Sequence, residues 1–216
     1  MAKVSPSILA ADFVNLERDI HQIEASQADW IHVDVMDGTF VPNFSFGLPA
    51  LKAVRRVTDM PLDVHLMIER PIRYVERFVA AGADWLTIHI EADTQENTME
   101  ALKKIRSMGS KAGISLKPGT GAEEALPYLS LCDLVLVMTV QPGFGGQKFK
   151  EDMMPKLAAL RRCLDDVNPG CVLSVDGGID DITAPICKQN GAEILVTGSA
   201  YFRAADQKAY VRRLQA

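Results

Sequence analysis

Two histidines and two aspartates stand at the ends of apolar runs, where side chains of that kind invite chemistry. His32 and Asp34 lie in Trp30-Ile31-His32-Val33-Asp34-Val35-Met36, and His65 lies in Leu62-Asp63-Val64-His65-Leu66-Met67. Asp176 closes Cys171-Val172-Leu173-Ser174-Val175-Asp176, just ahead of Gly177-Gly178. Residues two apart on a strand share a face, so His32, Asp34 and Met36 line one side of one strand. Burying such groups is unfavourable unless they pair or bind something. A lone histidine on an apolar strand is more often a pocket liner, and an aspartate before Gly-Gly more often a turn former. Two imidazoles and two carboxylates aimed at one place instead suit one divalent metal ion; zinc, iron, manganese and cobalt all accept that mixed set. His89, followed by Ile90-Glu91, is read as a pocket liner rather than a ligand, and His21, on a predicted helix, as outside the site.

Glycines supply a second feature. Gly143-Phe144-Gly145-Gly146, Gly177-Gly178 and Gly198-Ser199 each follow a late apolar run. Glycines let backbone N–H groups approach an anion, and helix N-termini add a favourable dipole. Tight turns alone account for any one of them; three such segments at adjacent positions point to a phosphate. No Lys or Arg lies within them, so backbone dipoles would hold most of the anion.

The elements that must position these groups follow a simple alternation. Strands are expected at Val4–Leu9, Trp30–Met36, Leu62–Ile68, Trp85–Ile90, Lys111–Leu116, Leu134–Thr139, Cys171–Val175 and Ile194–Thr197. Helices are expected over Asn15–Ala25, near Pro49–Val57, after Pro71, through Met99, Leu102 and Ile105, near Ala122–Leu129, over Phe149–Leu164 and Ile182–Gln189, and near Asp206–Leu214. Near-continuous apolar strands mark a parallel sheet covered on both faces. Eight strand–helix units in one domain, residues 1–216, predict an α/β fold of the (β/α)8 TIM-barrel type. An open doubly wound sheet is the weaker alternative, because no G-x-G-x-x-G follows the first strand. In a barrel, active groups lie at the C-terminal strand ends, which is where the histidines, the aspartates and the glycines fall.

Composition excludes several classes. The formal net charge of −5 argues against a nucleic-acid partner, which a basic stripe would mark. No run is long enough to span a membrane, and the N-terminus carries no apolar signal core. Cys132, Cys163, Cys171 and Cys187 form no C-x-x-C pair and read as reduced thiols of a cytoplasmic protein.

The longer motifs carry a family resemblance. Ser5-Pro6-Ser7-Ile8-Leu9, His32-Val33-Asp34-Val35-Met36-Asp37-Gly38-Thr39-Phe40-Val41-Pro42-Asn43 and Asp63-Val64-His65-Leu66-Met67 are joined by Val137-Met138-Thr139-Val140-Gln141-Pro142-Gly143-Phe144-Gly145-Gly146-Gln147, Val175-Asp176-Gly177-Gly178 and Gly198-Ser199-Ala200. Together they resemble the ribulose-phosphate 3-epimerase family over the whole chain. The resemblance implies a ribulose-phosphate-binding barrel with one divalent metal on His32, Asp34, His65 and Asp176. It implies interconversion of D-ribulose 5-phosphate and D-xylulose 5-phosphate in the pentose phosphate pathway, with Asp34 and Asp176 as the acid/base pair. It further implies substrate contacts at Ser7, His65, Gly143, Phe144, Gly145, Gly146, Asp176, Gly177, Gly178, Gly198 and Ser199, and a lining of Met36, Met67 and Met138 around a flat intermediate. A homo-oligomer is expected.

The chemistry suits those residue types. Inverting a carbinol carbon beside a ketone removes a proton from one face and returns one to the other. One carboxylate on each face achieves this without turning the enediolate over, and a Lewis acid stabilises the enediolate. The long loop Asp37–Gly47 could cap the mouth or form a subunit contact, and Gly143–Gln147 is a candidate lid. Three other readings compete. A hexulose phosphate, such as allulose 6-phosphate, could replace the pentulose in the same chemistry. A related decarboxylase would need D-x-K-x-x-D, but His65 stands where its lysine should be. A non-catalytic sugar-phosphate sensor would tolerate loss of a ligand or a carboxylate, and none is missing.

Overall fold

The computed structural model describes residues 1–216. Its strands are β1 Lys3–Pro6, β2 Ile31–Met36, β3 Leu62–Met67, β4 Trp85–His89, β5 Lys111–Leu116, β6 Leu134–Met138, β7 Val172–Asp176 and β8 Ile194–Thr197. All are parallel and pair in the order β1-β8-β7-β6-β5-β4-β3-β2. A parallel bridge between Ser7 and His32, with the Asp29 N–H donating to Val4 O, joins β1 to β2 and closes the barrel. The (β/α)8 fold read from the sequence is the fold observed.

Helices cover the outside: α1 Leu16–Ala25, α2 Leu48–Val57, α3 Val75–Ala80, α4 Gln95–Ser107, α5 Met154–Val167, α6 Thr183–Gln189, α7 Ser199–Arg203 and α8 Gln207–Gln215. Outward strand residues such as Val33, Val64, Leu86, Ile114, Val135, Leu173 and Leu195 pack with helix residues Ile20, Leu51, Leu102, Leu157 and Val211 in the main core. The inward face differs around the barrel. On the β2–β4 side it carries His32, Asp34, Asp63, His65, Thr87 and His89, all buried. On the opposite side Leu134, Leu136, Met138 and Ile194 form an apolar column with Trp30. The Trp30 and Trp85 rings stack at 4.6 Å at the N-terminal strand ends, with Lys3 over Trp30, and floor the barrel.

Several elements depart from the sequence reading. β1 stops at Pro6, and Ser7 instead caps a 3-10 turn, Ile8–Ala10, by accepting the Leu9 N–H. Residues Ala122–Leu131 are 3-10 helical throughout and contain Pro127, which has no N–H to donate. The helix expected from Phe149 opens as a 3-10 turn at Glu151–Met153. The short α7 directly after β8 has no periodic signal in the sequence.

Candidate active site and metal centre

Register brings the ligand-type residues together. His32 pairs with Asp63 and Asp34 with His65 across β2 and β3, so imidazoles and carboxylates alternate on one inward patch. The Asp34 Oδ1 atom lies 3.2 Å from His32 Nε2 and 3.1 Å from His65 Nδ1. Asp176, at the end of β7, reaches the same point from across the barrel. One donor atom from each of His32, Asp34, His65 and Asp176 lies within 4.8 Å of the others. Two ligands each ~2.1 Å from one ion sit ~3.0–3.5 Å apart when adjacent, close to the His–Asp separations here. The donor set therefore fits a divalent cation.

The surrounding side chains decide which atoms face the centre. His32 Nδ1 lies 2.7 Å from Asp63 Oδ2, leaving Nε2 for the centre. The Ser7 hydroxyl donates to Asp34 Oδ2 at 2.6 Å. Ser45 donates to the Asp34 carbonyl and accepts the Met36 N–H, which ties the loop after β2 to the strand end. Thr139, just past β6, donates its N–H to the Asp176 carbonyl at 2.8 Å and holds the end of β7.

Protonation tendencies diverge. Burial would raise the Asp34 carboxyl, but His32 and His65 beside it outweigh that and hold it well below the usual carboxylate range. Burial opposes charge on His32, yet Asp34 and Asp63 raise it well above its ordinary value. For Asp176, burial and then the charge of Asp34 push the carboxyl up to about 6. The two aspartates thus favour opposite states, one charged and one close to holding a proton.

A cavity of about 820 Å³ opens above this centre. Ser7, Asp34, Met36, Met67, Met138, Gly143–Gly146, Asp176–Gly178 and Gly198–Ser199 all line it, so most of the site residues read from the sequence meet in one space. His32 and His65 are fully buried and do not line it. Phe144 is 54% exposed at the rim. Gly177 and Gly178 are required as glycines. Both have positive φ, and a Cβ would lie 2.5 Å from the Val140 side chain at Gly177 and 2.8 Å from the Phe149 nitrogen at Gly178. The Asn43 side-chain amide donates to the Gly143 carbonyl at 2.7 Å, linking the β2 loop to the candidate lid.

Three of these features escaped the sequence reading. Asp63 sits two residues before His65, the mirror of His32-x-Asp34, and that spacing was a usable signal. Lys148 and Arg203 also line the cavity, and Arg203 donates to the Ser199 hydroxyl at 3.2 Å; positive charge does reach the glycine end, from outside the glycine segments. His89 does not line the cavity as expected: it is fully buried, 2.9 Å from His65 Nε2 and 3.0 Å from Glu91 Oε2.

A model of the Ribulose-phosphate 3 epimerase family matches residues 3–202. The chain belongs to the ribulose-phosphate 3-epimerase family. A ribulose-phosphate 3-epimerase from Bacillus subtilis (strain 168) is 45% identical over 216 residues, covering 100% of this chain and 99% of the relative. One from Rhodobacter capsulatus is 47% identical over 201 residues, 93% of this chain and 86% of the relative. Among solved structures, KGPDC from Streptococcus mutans superposes with a TM-score of 0.71 at 14% identity, covering 100% of this chain and 96% of that one. The 3-hexulose-6-phosphate synthase from Salmonella typhimurium gives 0.71 at 17% identity, covering 99% and 96%. At those identities the structures speak for the barrel alone. Membership of the ribulose-phosphate 3-epimerase family makes the chain an isomerase, and the hexulose-phosphate alternative is not favoured. No helix is long and apolar enough to cross a membrane.

Proposed function

We propose that this isomerase interconverts D-ribulose 5-phosphate and D-xylulose 5-phosphate, with Asp34 and Asp176 as proton carriers on opposite faces of a flat intermediate. The convergence of these two carboxylates, from opposite sides of the barrel, on one point at the floor of a cavity whose far end is lined by the glycine segments carries the reading. Asp34, charged and steered by the Ser7 hydroxyl, takes the C3 proton from one face. Asp176, whose ordinary range is raised toward neutrality, delivers a proton to the other; the roles exchange in the reverse direction. A divalent cation held by His32, Asp34, His65 and Asp176 would supply Lewis-acid stabilisation of the negative charge that develops on the sugar. Met36, Met67 and Met138 give the intermediate a polarizable apolar bed that excludes water.

At the other end of the cavity, backbone N–H groups of Gly177-Gly178 and Gly198-Ser199 receive the phosphate, and Arg203 and Lys148 add positive charge at the rim. The Gly143–Gln147 turn closes over the sugar. The reading extends to a homo-oligomer in the cytoplasm, within the pentose phosphate pathway. Exposed Phe13, Val14 and Phe44 beside the mouth loops support an association face, and free thiols support a reducing compartment.

Incubation of the metal-loaded protein with ribulose 5-phosphate in deuterated water tests the reading. Xylulose 5-phosphate carrying deuterium at C3 is expected. Product without label at C3, or no product, overturns it.

A further inference from the structure

His65 is held differently from His32, and the difference runs through three strand ends. Its Nε2 faces His89 Nε2 at 2.9 Å, so one nitrogen must donate and the other accept. His89 Nδ1 lies 3.0 Å from Glu91 Oε2. The other oxygen of Glu91 accepts the Lys117 N–H at 2.7 Å and the Thr120 hydroxyl. The Lys117 segment is itself clamped, because Lys156 Nζ donates to both the Lys117 and Pro118 carbonyls at 2.9 Å. Phe40 packs 4.8 Å from the His89 ring, with Lys117 Nζ over its own ring at 3.6 Å. Both imidazoles are fully buried, so no water competes for these bonds.

The order of protons along this chain follows from one end. A backbone N–H cannot accept, so the Glu91 oxygen facing Lys117 is fixed as an acceptor. The carboxylate has only acceptors to offer His89, so His89 Nδ1 carries the hydrogen. A neutral His89 then presents a bare Nε2, and His65 Nε2 must donate to it. A neutral His65 is left with a bare Nδ1 aimed at Asp34 and the centre, the form that ligates a metal.

We propose that Glu91 and His89 are positioning residues that set the tautomer and ring orientation of His65, doing through two links what Asp63 does for His32 in one. The proposal rests on the reading of His32, Asp34, His65 and Asp176 as a metal centre. Glu91→Gln is the sharpest probe because its shape is unchanged. Its amide oxygen must turn to the Lys117 N–H, so its NH₂ meets His89 Nδ1 and inverts every proton in the chain. His65 Nδ1 then carries hydrogen and cannot ligate.

The test uses zinc ion alone as the probe and the full-length protein. Competition against a chelator should read zinc affinity ~10–100-fold weaker in Glu91→Gln, with the melting temperature of the zinc-free protein nearly unchanged. Spectra of ¹⁵N-histidine-labelled, zinc-loaded wild type should put the hydrogen of His65 on Nε2. His89→Phe should weaken zinc by a similar factor. Zinc affinity within twofold of wild type in Glu91→Gln, or a bare His65 Nε2 in the loaded wild type, overturns the proposal. If neither variant folds, the wild-type spectrum alone decides. If wild-type zinc affinity is indifferent to Asp34→Asn, the metal centre itself is refuted and the proposal goes with it.

Discussion

The β2–β4 side of the barrel mouth is built from side chains, and the β6–β8 side from backbone. On the first, His32, Asp34, Asp63, His65, His89 and Glu91 bond to one another, and their register sets the geometry. On the second, Asp176 stands nearly alone among Gly143–Gly146, Gly177-Gly178 and Gly198-Ser199. The proposed function asks different things of the two sides. Moving protons and holding a cation need named functional groups with fixed tautomers. Receiving a phosphate needs closely approaching N–H groups, which any residue supplies if nothing on its Cβ blocks the way.

The comparison breaks most sharply at the one side chain shared by both halves. Asp176→Asn and Asp34→Asn should each lower kcat for epimerisation by ~10³-fold or more. Single-turnover assays with matched metal loading check this; an Asp176→Asn variant with wild-type kcat would leave the backbone side without chemistry. Next comes the backbone itself. Gly178→Ala places a Cβ against the Phe149 main chain at positive φ and should destabilise the fold by on the order of 3 kcal/mol. Substrate KM should rise in parallel, and denaturant melts beside a KM measurement read both. An unchanged Gly178→Ala would mean that the glycine end is not tightly built.

The smallest effect is a pH difference. The carboxyl of Asp176 is raised in the fold by burial and by Asp34, so the folded state binds its proton more tightly than the unfolded chain does. Its contribution to stability is present below about pH 4 and is lost as pH rises through about 6. Other groups titrate in the same window. Burial, for instance, lowers His89 to about 4, which adds stability as pH rises. The informative quantity is therefore metal-free wild type minus Asp176→Asn. That difference should fall by on the order of 2 kcal/mol across the window, and parallel melts would deny the raised value.

The same contrast governs what could be read in the sequence. The barrel was legible because the strands are β-branched or aliphatic runs and the longer helices repeat their apolar residues at helical spacing. His32, Asp34, His65 and Asp176 were legible because charge inside such a run is improbable without a purpose. Asp63 offered the same spacing signal to His65 as His32 to Asp34, but its partner, His32, is set by cross-strand register; Glu91 lies in the 3-10 turn after β4, and spacing along one strand gives neither partner. Glycine segments pointed to the end where the phosphate is proposed to bind, but α7 and the arrival of Arg203 beside Ser199 depend on how a five-residue turn of helix seats after β8. β1 was overextended because Ile8 and Leu9 look like strand, whereas the Ser7 hydroxyl diverts the backbone into a turn.

The stacked Trp30 and Trp85 rings have a kinetic consequence. They make the barrel a room with a solid floor, so sugar, solvent and isotopic hydrogen all pass one doorway beneath the Gly143–Gln147 turn. Solvent label reaching Asp176 must queue at that doorway with the substrate. How much solvent label appears in recovered ribulose 5-phosphate, whose proton left onto Asp34 and came back from it, therefore measures how long the door stays shut relative to each proton transfer, a stopwatch written into the unspent substrate.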